Sequence, residues 1–144
     1  RSVRHGMDYS ILATDISMEI LGNAARGVYT MERAKDVPRH LLVKYMLRSK
    51  DRANPRVKVV KELRNKITFR QLNFMEPFRM DQPMDVIFCR NVVIYFDRPT
   101  QEVLFQKFCN SLAPGGYLFI GHSESLSGMR LPVTQVAPTV FRRH

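Results

Sequence analysis

Arg90 and Asn91 are two hydrogen-bonding side chains set at the end of an apolar run, in Asp85-Val-Ile-Phe-Cys-Arg-Asn-Val-Val-Ile-Tyr-Phe-Asp97. The run from Asp85 to Cys89 has the pattern of a strand buried on both faces. Open α/β sheets bind ligands just past the carboxyl ends of their strands, which makes the pair candidates for a ligand-contacting edge. The plainer alternative is a strand end whose polar residues only cap backbone groups. Asp15 stands in an equivalent place, after Tyr9-Ser-Ile-Leu-Ala-Thr14 and before a helix. A carboxylate offers acceptors and no donor, which suits ribose hydroxyls at a strand end. The alternative is an acid that stabilises the positive end of the helix dipole. His122-Ser-Glu124 is too crowded in sequence to form a catalytic triad by itself and reads as turn polarity. The seven glycines build neither G-x-G-x-x-G nor a P-loop, and the four histidines are too scattered for a metal site.

The elements that would carry these residues alternate between strand and helix. Ser17 caps a helix with Met18, Leu21, Ala24 and Ala25 as its apolar stripe and Gly27 as its stop. A second helix follows Pro38, with Leu41, Leu42, Tyr45 and Met46 on one face. Val57, Val59 and Val60 indicate a short strand, and Lys66 to Leu72 another. Together with the basic segment they read as a small antiparallel excursion from the main sheet, an inserted β-subdomain over residues 48–70. Asp97-Arg-Pro99 opens a helix with Leu104, Phe105, Phe108 and Leu112 as its core stripe. Pro114-Gly-Gly116 ends it, and Tyr117 to Ile120 is the next buried strand. Val133 to Phe141 reads as a hairpin broken at Ala137-Pro138. The alternation predicts an α/β fold with a mostly parallel sheet and right-handed crossovers.

At 144 residues, 44% of them hydrophobic, the chain is of single-domain size and able to bury a core. No apolar run approaches the roughly 20 residues of a spanning helix, and no secretory signal is visible. Cys89 and Cys109 lack metal-type spacing and read as reduced thiols of a cytoplasmic protein. The net charge of +10 is concentrated: between Arg48 and Lys66 eight basic residues face only Asp51 and Glu62, six net charges. That segment is either a solvated surface or a dock for an acidic partner. It holds no aromatic residue for base stacking, which favours a protein over nucleic acid.

Leu112-Ala-Pro-Gly-Gly-Tyr-Leu118 is a helix-stop-strand element, generic alone but frequent in Rossmann-like methyltransferases that use S-adenosylmethionine. With Ile11-Leu-Ala-Thr-Asp-Ile-Ser17, Gln71-Leu-Asn-Phe74, Phe88-Cys-Arg-Asn-Val-Val-Ile-Tyr-Phe96 and Pro114-Gly-Gly-Tyr-Leu-Phe-Ile-Gly-His-Ser-Glu124, the chain resembles the catalytic domain of the CheR family of chemotaxis receptor methyltransferases. The blocks occur in the family's order and spacing over about Tyr9 to Phe141. The resemblance implies a Rossmann-like fold with a small antiparallel β-subdomain, and methyl transfer from S-adenosylmethionine to glutamates on the cytoplasmic helices of chemoreceptors. It implies that Asp15 holds the cofactor's ribose, that Asn73 and Phe74 flank the adenine, and that Arg90 and Asn91 line the methionine side. Tyr95 would lie near the transferred methyl group and orient it.

Two departures qualify the resemblance. The family's first strand, its glycine-containing loop and its helical N-terminal domain have no counterpart in these 144 residues. The chain then reads as a partial catalytic domain over 1–144, with uncovered edges and apolar faces that favour self-association, strand re-pairing or membership of a longer protein. Second, members that tether to a receptor's C-terminal pentapeptide carry a glycine-rich loop in the β-subdomain. Here it reads Ser49-Lys-Asp-Arg-Ala-Asn-Pro55, without glycine, so tethering is not expected. A binding module without catalysis is the alternative function. A nucleic-acid methyltransferase lacks its Asn/Asp-Pro-Pro-aromatic or Pro-Cys signature, and a dehydrogenase its glycine fingerprint.

Overall fold

The computed structural model describes residues 8–144, and these fall into two compact units that divide between Asn73 and Phe74. In the first, β1 (Ile11–Asp15) leads into α1 (Met18–Arg26). The helix starts where expected because Ser17 Oγ accepts the Ile20 N–H at 3.3 Å. It stops at Gly27, whose φ of +62° forms the left-handed cap. A Cβ there would also lie 2.9 Å from Arg64 Cδ. Only Leu21 of the expected stripe is fully buried, and Met18 is exposed.

The chain then forms β2 (Val28–Thr30), α2 (Arg39–Tyr45), β3 (Met46–Arg48) and β4 (Arg56–Val59). Met46 begins β3 rather than completing the helix stripe. The three strands make an antiparallel sheet in the order β2-β4-β3. Its single-residue alternation buries Val57 and turns Arg56 and Lys58 outward. The loop between β3 and β4 closes without glycine: Asp51 Oδ1 accepts the Ala53 and Asn54 N–H groups at 2.9 and 3.2 Å.

After a one-turn helix, α3 (Lys61–Arg64), comes β5 (Ile67–Gln71). Its place is a correction to the sequence reading. It pairs in parallel with β1 from Ile11↔Ile67 to Asp15↔Gln71, and takes no part in the antiparallel sheet, whose strands lie within residues 28–59. Alternation in Ile67–Gln71 identifies a strand but not its partner, which is 56 residues away.

The second unit holds β6 (Met84–Cys89), a 3-10 turn (Val93–Tyr95), α4 (Arg98–Ser111), β7 (Leu112–Ile120), β8 (Val133–Ala137) and β9 (Val140–Arg143). The sheet order is β6-β7-β9-β8, with β6 and β7 parallel and the other pairs antiparallel. Asp97 caps α4 by accepting the Thr100 N–H at 3.0 Å, with Pro99 in the first turn. Leu104, Phe105 and Phe108 of α4 pack with Leu112, Leu118, Ile120 and Phe141 of the sheet in one buried core. Pro114-Gly-Gly116 does not end the helix. It lies inside β7 as an irregularity where the register moves from Met84↔Leu112 to Val86↔Tyr117. The Asp85–Cys89 run is also not buried on both faces: Cys89 is buried, but Val86 and Phe88 are 43% and 71% exposed.

Candidate functional site

In the first unit the carboxyl ends of β1 and β5 are tied together. Leu72 N donates to Asp15 O at 3.0 Å, and Gln71 Nε2 donates to Ile16 O at 2.9 Å. Asp15 is half-buried there, and its Oδ1 accepts the Ser17 N–H at 2.8 Å. One oxygen thus orders the strand-to-helix turn and fixes the plane of the carboxylate, which leaves Oδ2 for another donor. Asn73 follows β5 by two residues, so it shares this carboxyl edge with Asp15 and is half-buried.

In the second unit Arg90, Asn91 and Tyr95 lie on one short segment between β6 and α4. Asn91 has φ of +59°, a left-handed conformation that asparagine tolerates better than most residues. Arg90 is exposed and, among the described residues, forms no ion pair. Tyr95, at the end of the 3-10 turn, is 81% exposed. Phe74 is placed differently. Its ring meets Phe108 edge-on at 5.3 Å and Phe78 at 6.0 Å, and it lines an apolar hollow with Val103, Leu104 and Lys107 of α4. Lys107 Nζ holds the Phe74 and Glu76 carbonyls at 3.0 and 3.1 Å.

The sequence reading of His122-Ser-Glu124 as turn polarity holds for exposed His122 and Ser123 but fails for Glu124, which is 7% exposed. Glu124 Oε1 accepts from Val92 N at 3.1 Å and Val93 N at 3.2 Å, and Oε2 accepts from Gly121 N. Gln101, also missed, donates from Nε2 to the Val93 and Phe96 carbonyls at 3.0 and 2.9 Å. Glycine at position 121 leaves room for this packing: a Cβ would stand 2.8 Å from Asn91 Oδ1 and 2.9 Å from Glu124 Oε2, and those side-chain ends would have to shift. The only local signal was the Gly121-x-x-Glu124 spacing, which lets the side chain fold back over its own turn. Burial and Glu124 together push the Cys89 thiol up to about 12, burial being the larger effect.

Among the described residues no three His, Cys, Asp or Glu side chains group as a metal site, and no helix is long and apolar enough to cross a membrane. Parallel strands with polar side chains at their carboxyl edges suit an α/β ligand-binding fold, and the family match places that fold among the Rossmann-like S-adenosylmethionine-dependent methyltransferases. The chain belongs to the family described as CheR methyltransferase, SAM binding domain, which matches residues 2–141. It is 39% identical over 132 residues to chemotaxis protein methyltransferase 2 of Pseudomonas aeruginosa, covering 91% of this chain and 47% of that protein. The chemotaxis protein methyltransferase of Escherichia coli is 37% identical over 134 residues, covering 92% and 47%. The chain therefore spans about half the length of the curated relatives it matches. A solved glycopeptide N-methyltransferase, MtfA, covers 93% of this chain and 56% of its own at a TM-score of 0.47 and 14% identity, too weak a likeness to argue from.

The donor chemistry fits the family's cofactor. Asp15 has one carboxylate oxygen beyond the one that Ser17 engages, an acceptor of the kind a sugar hydroxyl requires, and Arg90 and Asn91 bring a cation and an amide to the end of β6. Asn73 adds an amide at the end of β5.

Proposed function

We propose that this chain is the cofactor-binding part of a protein-glutamate O-methyltransferase that modifies the cytoplasmic helices of chemoreceptors. Membership of the CheR family carries the reading, and the cluster of Arg90, Asn91 and Tyr95 at the end of β6 supports it. S-adenosylmethionine supplies a methyl group on a sulfonium that is its own leaving group. Asp15 accepts hydrogen bonds from the ribose, Asn73 and Phe74 flank the adenine, and Arg90 and Asn91 hold the methionine end. Tyr95, exposed on the same segment, would orient the transferred methyl group. A glutamate side chain is already ionised near neutral pH, so the site needs no general base. Aligning the attacking oxygen with the carbon and sulfur is the main catalytic task.

Calorimetric titration of S-adenosylhomocysteine into the chain tests this assignment. Saturable one-site binding is expected, weakened about tenfold or more by Asp15→Ala, the loss of a charged hydrogen bond. A folded sample that binds nothing, or an Asp15→Ala variant that binds equally well, would reject it.

The second reading is a binding module for acidic helices. The outward side chains of Arg56 and Lys58 on β4, in the most basic stretch of the chain, favour it. A chain that binds a receptor helix but no cofactor would select this reading.

A further inference from the structure

The 3-10 turn Val93–Tyr95 is held at both ends by side chains from elsewhere in the second unit. At its start the Val92 and Val93 N–H groups point inward, and Val93 is only 1% exposed, so these donors need a buried acceptor. Glu124 Oε1 serves both, while Oε2 takes the Gly121 N–H. At its finish the Val93 and Phe96 carbonyls accept from Gln101 of α4. The loop that carries Glu124 is itself fastened to α4. Arg98 donates to the carbonyls of Ser125 and Ser127, and Glu102 Oε1 accepts the Arg130 N–H at 3.0 Å. Asn91, in its left-handed conformation, is wedged against Gly121 beside this network.

We infer that Glu124, assisted by Gln101, is a positioning residue that holds the Arg90–Tyr95 segment in its ligand-binding conformation. The inference rests on the reading that Arg90, Asn91 and Tyr95 face the cofactor. A carboxylate is suited to the task because both oxygens accept and neither donates. An amide of the same shape would turn an N–H₂ group toward a backbone donor whichever way it was flipped. Without the clamp, the strained turn at Asn91 has fewer constraints to keep it.

The test compares Glu124→Gln with wild type and with Leu126→Ala, a core substitution two residues away that makes no hydrogen bond to the turn. Amide exchange of Val92 and Val93 is expected to accelerate at least tenfold in Glu124→Gln while the β6–β7 ladder keeps its protection. Affinity for S-adenosylhomocysteine should fall about tenfold to a hundredfold, the scale of a lost charged hydrogen bond. Leu126→Ala should lower the melting temperature comparably yet retain both properties. Unchanged exchange at Val92 and Val93 would overturn the inference. So would lost protection with unchanged affinity in a chain where Asp15→Ala does weaken binding. If wild type binds no ligand, the cofactor assignment fails and the exchange experiment still decides whether Glu124 is the clamp.

Discussion

Cys89 lies at the last position of β6, directly before Arg90, and its thiol is pushed up to about 12 from an ordinary 9.0 by burial and by Glu124. Cys109 on α4 is raised as well, chiefly by burial. A raised thiol pKa favours the folded state while the thiol is neutral. This stabilisation is complete below about 9 and is lost as pH climbs toward about 12. Stability should therefore decline through that alkaline window, and less steeply in Cys89→Ala. At pH near 8 both thiols should resist iodoacetamide in the folded chain and react fully in guanidinium, as read by mass spectrometry. Rapid labelling of folded Cys89 would contradict this. The same neighbourhood shows what single residues disclose. Arg90 and Asn91 were legible because a polar pair at the end of an apolar run is conspicuous. Glu124 was not, because its burial depends on the Val92 and Val93 amides, 32 and 31 residues earlier in the chain.

Among the elements, α1 was legible at both ends and α4 at its N-cap, because N-capping is a contact between neighbours three residues apart. Asp97 shows how far such a local device matters. Its hydrogen bond with Thr100 holds the carboxyl below the usual carboxylate range. A depressed folded-state value stabilises above the unfolded one, about 3.9, and the effect is lost as pH falls through the folded value. Asp97→Ala should lower the melting temperature by a few degrees near neutral pH, with the gap to wild type narrowing on acidification below about 4. Melts followed by circular dichroism across that range would show it, and a gap independent of pH would mean that the charge of Asp97 contributes nothing. Strand pairing was less legible. The alternation in β5 is as compatible with an antiparallel hairpin as with its actual parallel partner, β1. Pro114-Gly-Gly116 read as a helix stop because those residues disfavour helix, yet they equally suit an irregularity inside β7.

At the scale of the whole molecule, the apolar surface left open is the feature with consequences. Val86 and Phe88 on β6 and Tyr117 on β7 are 43%, 71% and 38% exposed, with Phe88 stacked on Phe119 at 4.7 Å. They alternate along neighbouring strands, so their side chains share one face of the sheet. Among the described residues β6 is also the edge of its four-stranded sheet, with its one ladder partner on the β7 side. An apolar face beside an open edge is a template for a second copy. We predict that the isolated chain self-associates with rising concentration, as read by light scattering, and that Phe88→Asp shifts it toward monomer. Burial of a phenylalanine side chain is worth about 2 kcal/mol, so the substitution should weaken association about thirtyfold. Sedimentation at several concentrations would distinguish this from strand re-pairing within one chain, which leaves the mass unchanged. A wild-type chain that stays monomeric throughout would show that the face is tolerated in water. A chain that associates equally with Phe88→Asp would move the interface elsewhere, first to the edge of β1 that no described residue pairs with in its two-stranded sheet.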